Sequence, residues 1–271
     1  MNLLVTLDSN YVHQLLVMLK SISHSNPCEK LTVYIIHTRL TEFDLALIKS
    51  SFPKYSFISI VPDDEIFDGA HFTKRITKET YYRLLLCEYL PSDVDRILYL
   101  DPDTIVLKSL KPLYNHDFGD RCFVGAGHTG SIIEWFNKKR LNMNGNSTYI
   151  NAGVLMINVK NFRKVFNKSD IKALIDKKGK LLFQADQDII NSLYHKYTDY
   201  VHAIQYNLDE HTYQKYKIND RYIKENTVII HFDGKNKPWK DNYTGSMREY
   251  YDYCEKLLNN NEEKIQFPIA N

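Results

Sequence analysis

Arg96-Ile97-Leu98-Tyr99-Leu100-Asp101-Pro102-Asp103-Thr104-Ile105-Val106 reads as a buried strand that leaves its sheet and delivers two carboxylates two residues apart. Pro102 fixes its own φ and biases Asp101 toward extended backbone, so the carboxylates at i and i+2 can point to one side. Two hard oxygen ligands on one side suit Mg²⁺ or Mn²⁺, which share their remaining positions with water and phosphate oxygens. Asp-Pro-Asp-Thr is also good turn chemistry, so the metal reading depends on the company the motif keeps.

Upstream, an apolar run from Leu3 to Leu7 ends in Asp8-Ser9-Asn10, and Val12, Leu15, Leu16, Leu19 and Ile22 then recur at helical spacing. Leu31 to Ile36 predicts a second strand, Thr41 to Phe52 a helix capped by Thr41, and Phe57 to Val61 a third strand. This alternation predicts an α/β fold with a parallel, doubly wound sheet. The first strand-helix turn is where such sheets place a nucleotide. It has no glycine, so neither the dinucleotide fingerprint nor a P-loop is present, which excludes an NAD-linked dehydrogenase and a P-loop kinase. Asp8 and Asn10 can bond a ribose or base edge and Tyr11 can stack, or they can simply cap and pack. Thr77 to Leu90 predicts a helix that sets Arg83 among apolar neighbours, where the guanidinium needs an anionic or polar partner.

Downstream, Thr104 to Leu107 and Cys122 to Ala126 predict short strands. From Gly127 to Tyr149 the sequence reads as an irregular loop carrying Trp135, Phe136 and the basic group Lys138-Lys139-Arg140, long enough to serve a function. Tyr149 to Asn158 is an apolar strand, and Asn151 followed by small residues lets a ligand approach the backbone. Asp186-Gln187-Asp188 opens a helix, where acids also suit the positive end of the dipole. Thr227 to Phe232 predicts a strand carrying His231, followed by Gly234, Lys235, Lys237 and Trp239. That composition predicts a mobile cationic segment that closes over a diphosphate.

Taken together, Asp101-Pro102-Asp103, Asn151-Ala152-Gly153-Val154, Asp186-Gln187-Asp188 and His231-Phe232-Asp233-Gly234-Lys235-Asn236-Lys237-Pro238-Trp239 resemble glycosyltransferase family 8. This family includes retaining lipopolysaccharide galactosyl- and glucosyltransferases and glycogenin. The resemblance implies a GT-A fold: one Rossmann-like nucleotide-binding domain, residues 1–240, around a mostly parallel sheet, with a C-terminal helical extension, residues 241–271. It also implies retaining, metal-dependent transfer of glucose or galactose from UDP-glucose or UDP-galactose to a saccharide or glycan acceptor. Asp101, Asp103 and His231 would hold Mn²⁺ or Mg²⁺. Asp8, Asn10 and Tyr11 would take the uridine, Gly234 and Lys237 the phosphates, and Arg83, Asn151, Asp186 and Gln187 the donor sugar. Gln187 and Asp188 would be the catalytic pair, Asp188 offsetting oxocarbenium charge. Retention requires a covalent intermediate or attack from the leaving-group side, and the sequence does not choose. Pro102 stands where the family often has alanine. Two other readings are a haloacid-dehalogenase-like phosphatase, from the echo of Asp101-x-Asp103-Thr104, and a catalytically silent UDP-sugar-binding protein.

Composition bounds the rest. At 271 residues, with 44% hydrophobic and 25% charged residues, the chain suits one globular domain with a sizeable core. A net charge of +2 gives no footprint for nucleic acid. The four cysteines lie far apart and read as reduced thiols. With no signal-like or membrane-spanning apolar run, the expected location is the cytoplasm. Peripheral membrane contact finds no support in the segment after Trp239, which is richer in acids than in bases.

Overall fold

A computed structural model describes residues 1–62, 66–67, 70, 72, 77–127 and 132–259. The strands are β1 (Asn2–Thr6), β2 (Thr32–Ile36), β3 (Ser56–Ile60), β4 (Arg96–Leu100), β5 (Thr104–Val106), β6 (Phe123–Gly127), β7 (Ile150–Asn158), β8 (Thr198–His202) and β9 (Ile229–His231). Seven of them form one sheet in the order β3-β2-β1-β4-β7-β6-β8, while β5 and β9 make a separate ribbon. Pairings β1/β2, β2/β3, β1/β4 and β6/β8 are parallel, and β7 runs antiparallel to both β4 and β6. The sheet is therefore mostly parallel, and the strand that reverses it lies directly beside the strand that delivers the two aspartates.

The central strands read as unbroken apolar runs because both of their faces are covered. Ile97 and Tyr99 of β4 enter one core with Leu155 and Ile157, and Leu98 and Leu100 enter the other with Val154 and Met156. Helix Val12–Ser25 covers the second face, and Ala185–Tyr194 and Val159–Val165 help cover the first. Helix Glu42–Ser51 begins where expected, at Thr41, which forms a reciprocal capping box with Asp44. The edge strands β3 and β8 are largely polar or exposed, which blunts further strand pairing.

Two expectations about local structure change. The predicted helix from Thr77 to Leu90 is interrupted: Lys78–Tyr82 and Leu86–Tyr89 are separated by a 3₁₀ turn at Arg83–Leu85. The tighter turn sets Arg83 facing the end of β4. The predicted loop from Gly127 to Tyr149 contains a helix, Ile132–Leu141. Its apolar residues lie on the outer side, so the usual periodic signal of a buried face is missing. Helix Arg248–Asn259 falls within the expected C-terminal helical extension and packs against the rest of the fold. Tyr250, Tyr251, Cys254 and Leu257 join one buried cluster with Val17, Ile105, Ile230 and Phe232. The remainder of the expected extension, from 260 onward, lies outside the described residues. No described helix is long and apolar enough to cross a membrane.

Candidate active site

Asp101-Pro102-Asp103 is both a turn and a ligand pair. Thr104 donates from its backbone N–H and its hydroxyl to the Asp101 carbonyl, at 3.2 and 2.9 Å, closing the turn that starts β5. In the β5/β9 ribbon Thr104 lies opposite His231, so strand register carries the imidazole to the two carboxylates. His231 Nε2 is 3.2 Å from Asp103 Oδ1 and 3.6 Å from Asp101 Oδ2. One ligand atom from each of the three residues lies within 4.8 Å of the others, a spacing that suits one cation.

Several features fit this trio to a divalent ion. Asp103 Oδ1 is buried and, His231 Nε2 at 3.2 Å aside, accepts no hydrogen bond among the described residues. Asn207, itself fully buried, places Oδ1 2.8 Å from His231 Nδ1 and so turns Nε2 toward the carboxylates. A Cβ added at Gly153 would lie 2.2 Å from His231 Cε1 and 2.6 Å from Asp101 Oδ2, so only glycine leaves that space clear. Two carboxylates and an imidazole are a donor set that Mn²⁺ and Mg²⁺ accept. Burial pushes His231 down, but the Asp103 carboxylate outweighs it and brings the imidazole up to about 9. Burial likewise pushes Asp103 up, and Lys237 and His231 together overcome it and hold the carboxyl below the usual carboxylate range.

Arg83 finds the partners its burial requires. Its Nη2 donates to Asp101 Oδ1 at 2.9 Å, its Nη1 to the Ala152 carbonyl at 2.7 Å, and its Nε lies 3.0 Å from Asp186 Oδ2. The guanidinium stacks 3.9 Å above the Tyr99 ring, and the Tyr99 hydroxyl donates to Asp101 Oδ1 at 2.5 Å. Burial pushes Asp186 up to about 7 against the pull of Arg83. Thus one side of Asp101 is fixed by Arg83 and Tyr99 while Oδ2 faces His231.

Arg83, Asp101, Asn151, Asp186, Gln187 and His231 all line one cleft. Asn151 Oδ1 accepts from the Gly153 N–H at 2.7 Å. Ala185, just before Asp186, takes φ +50°; a left-handed residue without glycine is strained, and here it presents the next two side chains to the cleft. Gln187 Oε1 accepts from the Ala152 N–H at 3.1 Å and its Nε2 donates to the Tyr149 hydroxyl at 2.9 Å, which fixes the amide's orientation.

Asp188 is placed differently from the role expected of it. It is fully buried, its oxygens accept from Arg140 Nη1 and Nη2 at 2.8 and 2.9 Å, from Tyr149 at 2.7 Å and from the Gln184 N–H at 3.0 Å. With every approach taken, it cannot face a sugar. It instead anchors the Tyr149 hydroxyl that holds Gln187. Tyr149, Arg140 and Asn207 are the residues that sequence reasoning missed as supports. Arg140 stood in a visible basic group, but Asn207 had no sequence signal, because its role arises only when β9 folds against it.

The nucleotide candidates lie on the other flank. Asp8 accepts from the Asn10 backbone at 2.9 Å and side chain at 3.2 Å, so it caps the turn. Tyr11 meets Trp239 edge to face at 6.1 Å. Lys237 is held rather than free: it is buried, donating to Asp103 Oδ2 at 2.6 Å and to the Phe232 carbonyl at 2.7 Å. Gly234 needs no left-handed backbone, and a Cβ there would meet nothing nearer than the Asn236 carbonyl oxygen at 3.9 Å.

The site thus sets an Asp-x-Asp turn beyond the end of β4 against His231 of β9 and Lys237 just after it, beside an α/β sheet of doubly wound type. Glycosyl transferase family 8 matches residues 2–243, and the chain belongs to that family. It is 27% identical to the Lipopolysaccharide 1,2-glucosyltransferase of Escherichia coli, an alignment covering 93% of this chain and 76% of that protein. It is 24% identical to the Lipopolysaccharide 1,3-galactosyltransferase of Salmonella typhimurium, covering 88% and 72%. Among solved structures, the galactosyltransferase LgtC in complex with donor and acceptor sugar analogs superposes with a TM-score of 0.81 at 27% identity, covering 96% of this chain and 97% of that one. The fold is GT-A, and the protein is a glycosyltransferase.

Proposed function

We propose that the protein transfers glucose or galactose from a UDP-sugar to a saccharide acceptor with retention of configuration, using Mn²⁺ or Mg²⁺. The convergence of Asp101, Asp103 and His231 beside a cleft lined by Arg83, Asn151, Asp186 and Gln187 carries this reading. The names of the relatives, hexosyltransferases of lipopolysaccharide, support the hexose. When bound, the divalent ion would supply positive charge to the diphosphate leaving group.

The chain's own residues do the rest. Lys237 spends two of its three N–H donors on Asp103 and Phe232, leaving one for a phosphate oxygen. Tyr11, braced by Trp239, offers a face to the base, and Asp8 and Asn10 offer polar edges to uridine. Arg83 and Asp186 hold each other and are positioned to order the sugar hydroxyls. Gln187, with its amide pinned by Ala152 and Tyr149, presents its remaining lone pair and N–H to the reacting face. Asp188, fully buried, is a positioning residue.

The test is UDP release from a panel of UDP-sugars with Mn²⁺, with and without saccharide acceptors. UDP-glucose or UDP-galactose should release UDP, accelerated by an acceptor. Release of inorganic phosphate from simple phosphomonoesters without any UDP requirement would favour a phosphatase, and binding without turnover would mark a silent binding protein.

A further inference from the structure

Helix Ile132–Leu141 wears its apolar side chains outward. Ile132, Ile133, Trp135 and Phe136 are 86%, 67%, 61% and 53% exposed, whereas Glu134 and Leu141 are the buried members. That is the reverse of a helix that packs its apolar stripe into a core. A second segment extends the surface, with Leu181 and Phe183 at 50% and 51% exposure. Arg140 joins the two segments: its guanidinium lies 4.9 Å from the Phe183 ring centre and donates to the Leu181 carbonyl. Because Arg140 also pairs with buried Asp188, the patch is clamped to the helix that presents Gln187. Phe183 leads directly into Gln184, Ala185, Asp186 and Gln187, all of which line the cleft. The patch thus borders the mouth of the site.

The charge around it is predominantly positive, with Asp176 the exposed acid beside Lys177 and paired to Lys172. Lys139 is exposed, with Nζ 5.2 Å above the Trp135 ring, and Lys178 reaches the Arg140 carbonyl at 3.2 Å. Lys177 stands exposed beside it. The nearby acids Glu134 and Asp188 are turned inward, at 8% and 0% exposure.

We propose that this face docks on an anionic membrane surface, with the helix lying in the interface plane. Ile132, Ile133, Trp135 and Phe136 would enter the acyl boundary, and Lys139, Lys177 and Lys178 would meet lipid phosphates. A free glycan is a poorer match, because Ile132, Ile133 and Leu181, half of the patch, offer its hydroxyls no hydrogen bonds. A second copy is also a poorer match, because a two-fold contact would set the lysine rims against each other. The orientation would bring the cleft to an acceptor held at a bilayer, a consequence that rests on the proposed transfer activity; the docking itself does not.

The protein contains two tryptophans, so a Trp239→Phe background leaves Trp135 as the sole reporter. Flotation with vesicles of phosphatidylglycerol and phosphatidylcholine at low salt should carry the wild-type chain upward, and pure phosphatidylcholine should carry about tenfold less. In the Trp239→Phe background, Trp135 emission should shift to the blue and be quenched by brominated lipid. Ile133→Glu/Phe136→Glu should lose about tenfold or more of the vesicle binding with an unchanged melting temperature, since both side chains are already exposed. Lack of flotation by the wild type, or Trp135 emission indifferent to vesicles, overturns the proposal. A concentration-dependent dimer abolished by the same double substitution overturns it in favour of self-association. None of these readouts depends on UDP-sugar turnover, so failure here is separable from failure of the proposed activity.

Discussion

Asp103→Ala will destabilise the protein as well as remove a proposed metal ligand. From sequence alone Asp103 is a loop ligand whose loss should spare the fold. In the structure its carboxylate sits 2.6 Å from Lys237 Nζ, and the two side chains are 10% and 8% exposed. Removing the carboxylate leaves a buried ammonium with the Phe232 carbonyl as its other hydrogen-bond partner. Breaking one side of such a pair costs about 3–5 kcal/mol, a large share of the roughly 5–15 kcal/mol that keeps a domain folded. With a urea slope of about 3 kcal/mol/M for a chain of this size, the midpoint should fall by about 1–2 M. The double variant Asp103→Ala/Lys237→Met replaces both charges with apolar surface and should recover most of the loss. Urea unfolding followed by circular dichroism, in EDTA, compares the three proteins. An Asp103→Ala protein as stable as wild type, or a double variant as unstable as the single one, would refute the buried pairing.

Gly153→Ala should lower metal affinity and turnover by about a hundredfold or more, because its Cβ would sit 2.2 Å from His231 Cε1; a Mn²⁺ titration matching wild type would show that the ligands have room to spare. Asn207→Ala should weaken Mn²⁺ binding by about 10–100-fold by freeing the imidazole to rotate, with unchanged affinity as the contrary result. Mn²⁺ affinity should rise about tenfold from pH 7 to pH 8 and level off above about 9, because the metal binds neutral His231 and the imidazole pKa is about 9. In EDTA the sign for stability is opposite: a pKa raised from 6.5 to about 9 gives His231 a contribution that is complete below 6.5 and lost as pH rises through 9. Stability that is flat over that interval would contradict the Asp103–His231 interaction.

What the sequence made legible follows from how local each signal is. The strands β1, β2 and β4 were visible because buried central strands are nearly continuous apolar runs, β3 because of its β-branched and aromatic residues, and the Thr41 cap marked its helix to the residue. The candidate ligands Asp101, Asp103 and His231 were readable as motifs, and register between β5 and β9 brings them together. The helix Ile132–Leu141 was not visible, since its apolar residues face outward. Asp188 looked like its neighbours Asp186 and Gln187, and the Arg140 guanidinium, 48 residues away in sequence, together with the Tyr149 hydroxyl turns it into a buried anchor. Lys237 read as a free loop cation because the sequence gives no sign that Asp103 and Phe232 would capture it.

The central claim is a cation shared between Asp101, Asp103, His231 and the diphosphate of the donor, and a Mn²⁺ titration followed by electron paramagnetic resonance, with and without UDP, addresses it directly. One ion should bind per chain, and saturating UDP should tighten it by about tenfold or more, since each ligand completes the other's site. Absence of stoichiometric Mn²⁺ binding, or an affinity indifferent to UDP, would contradict the account.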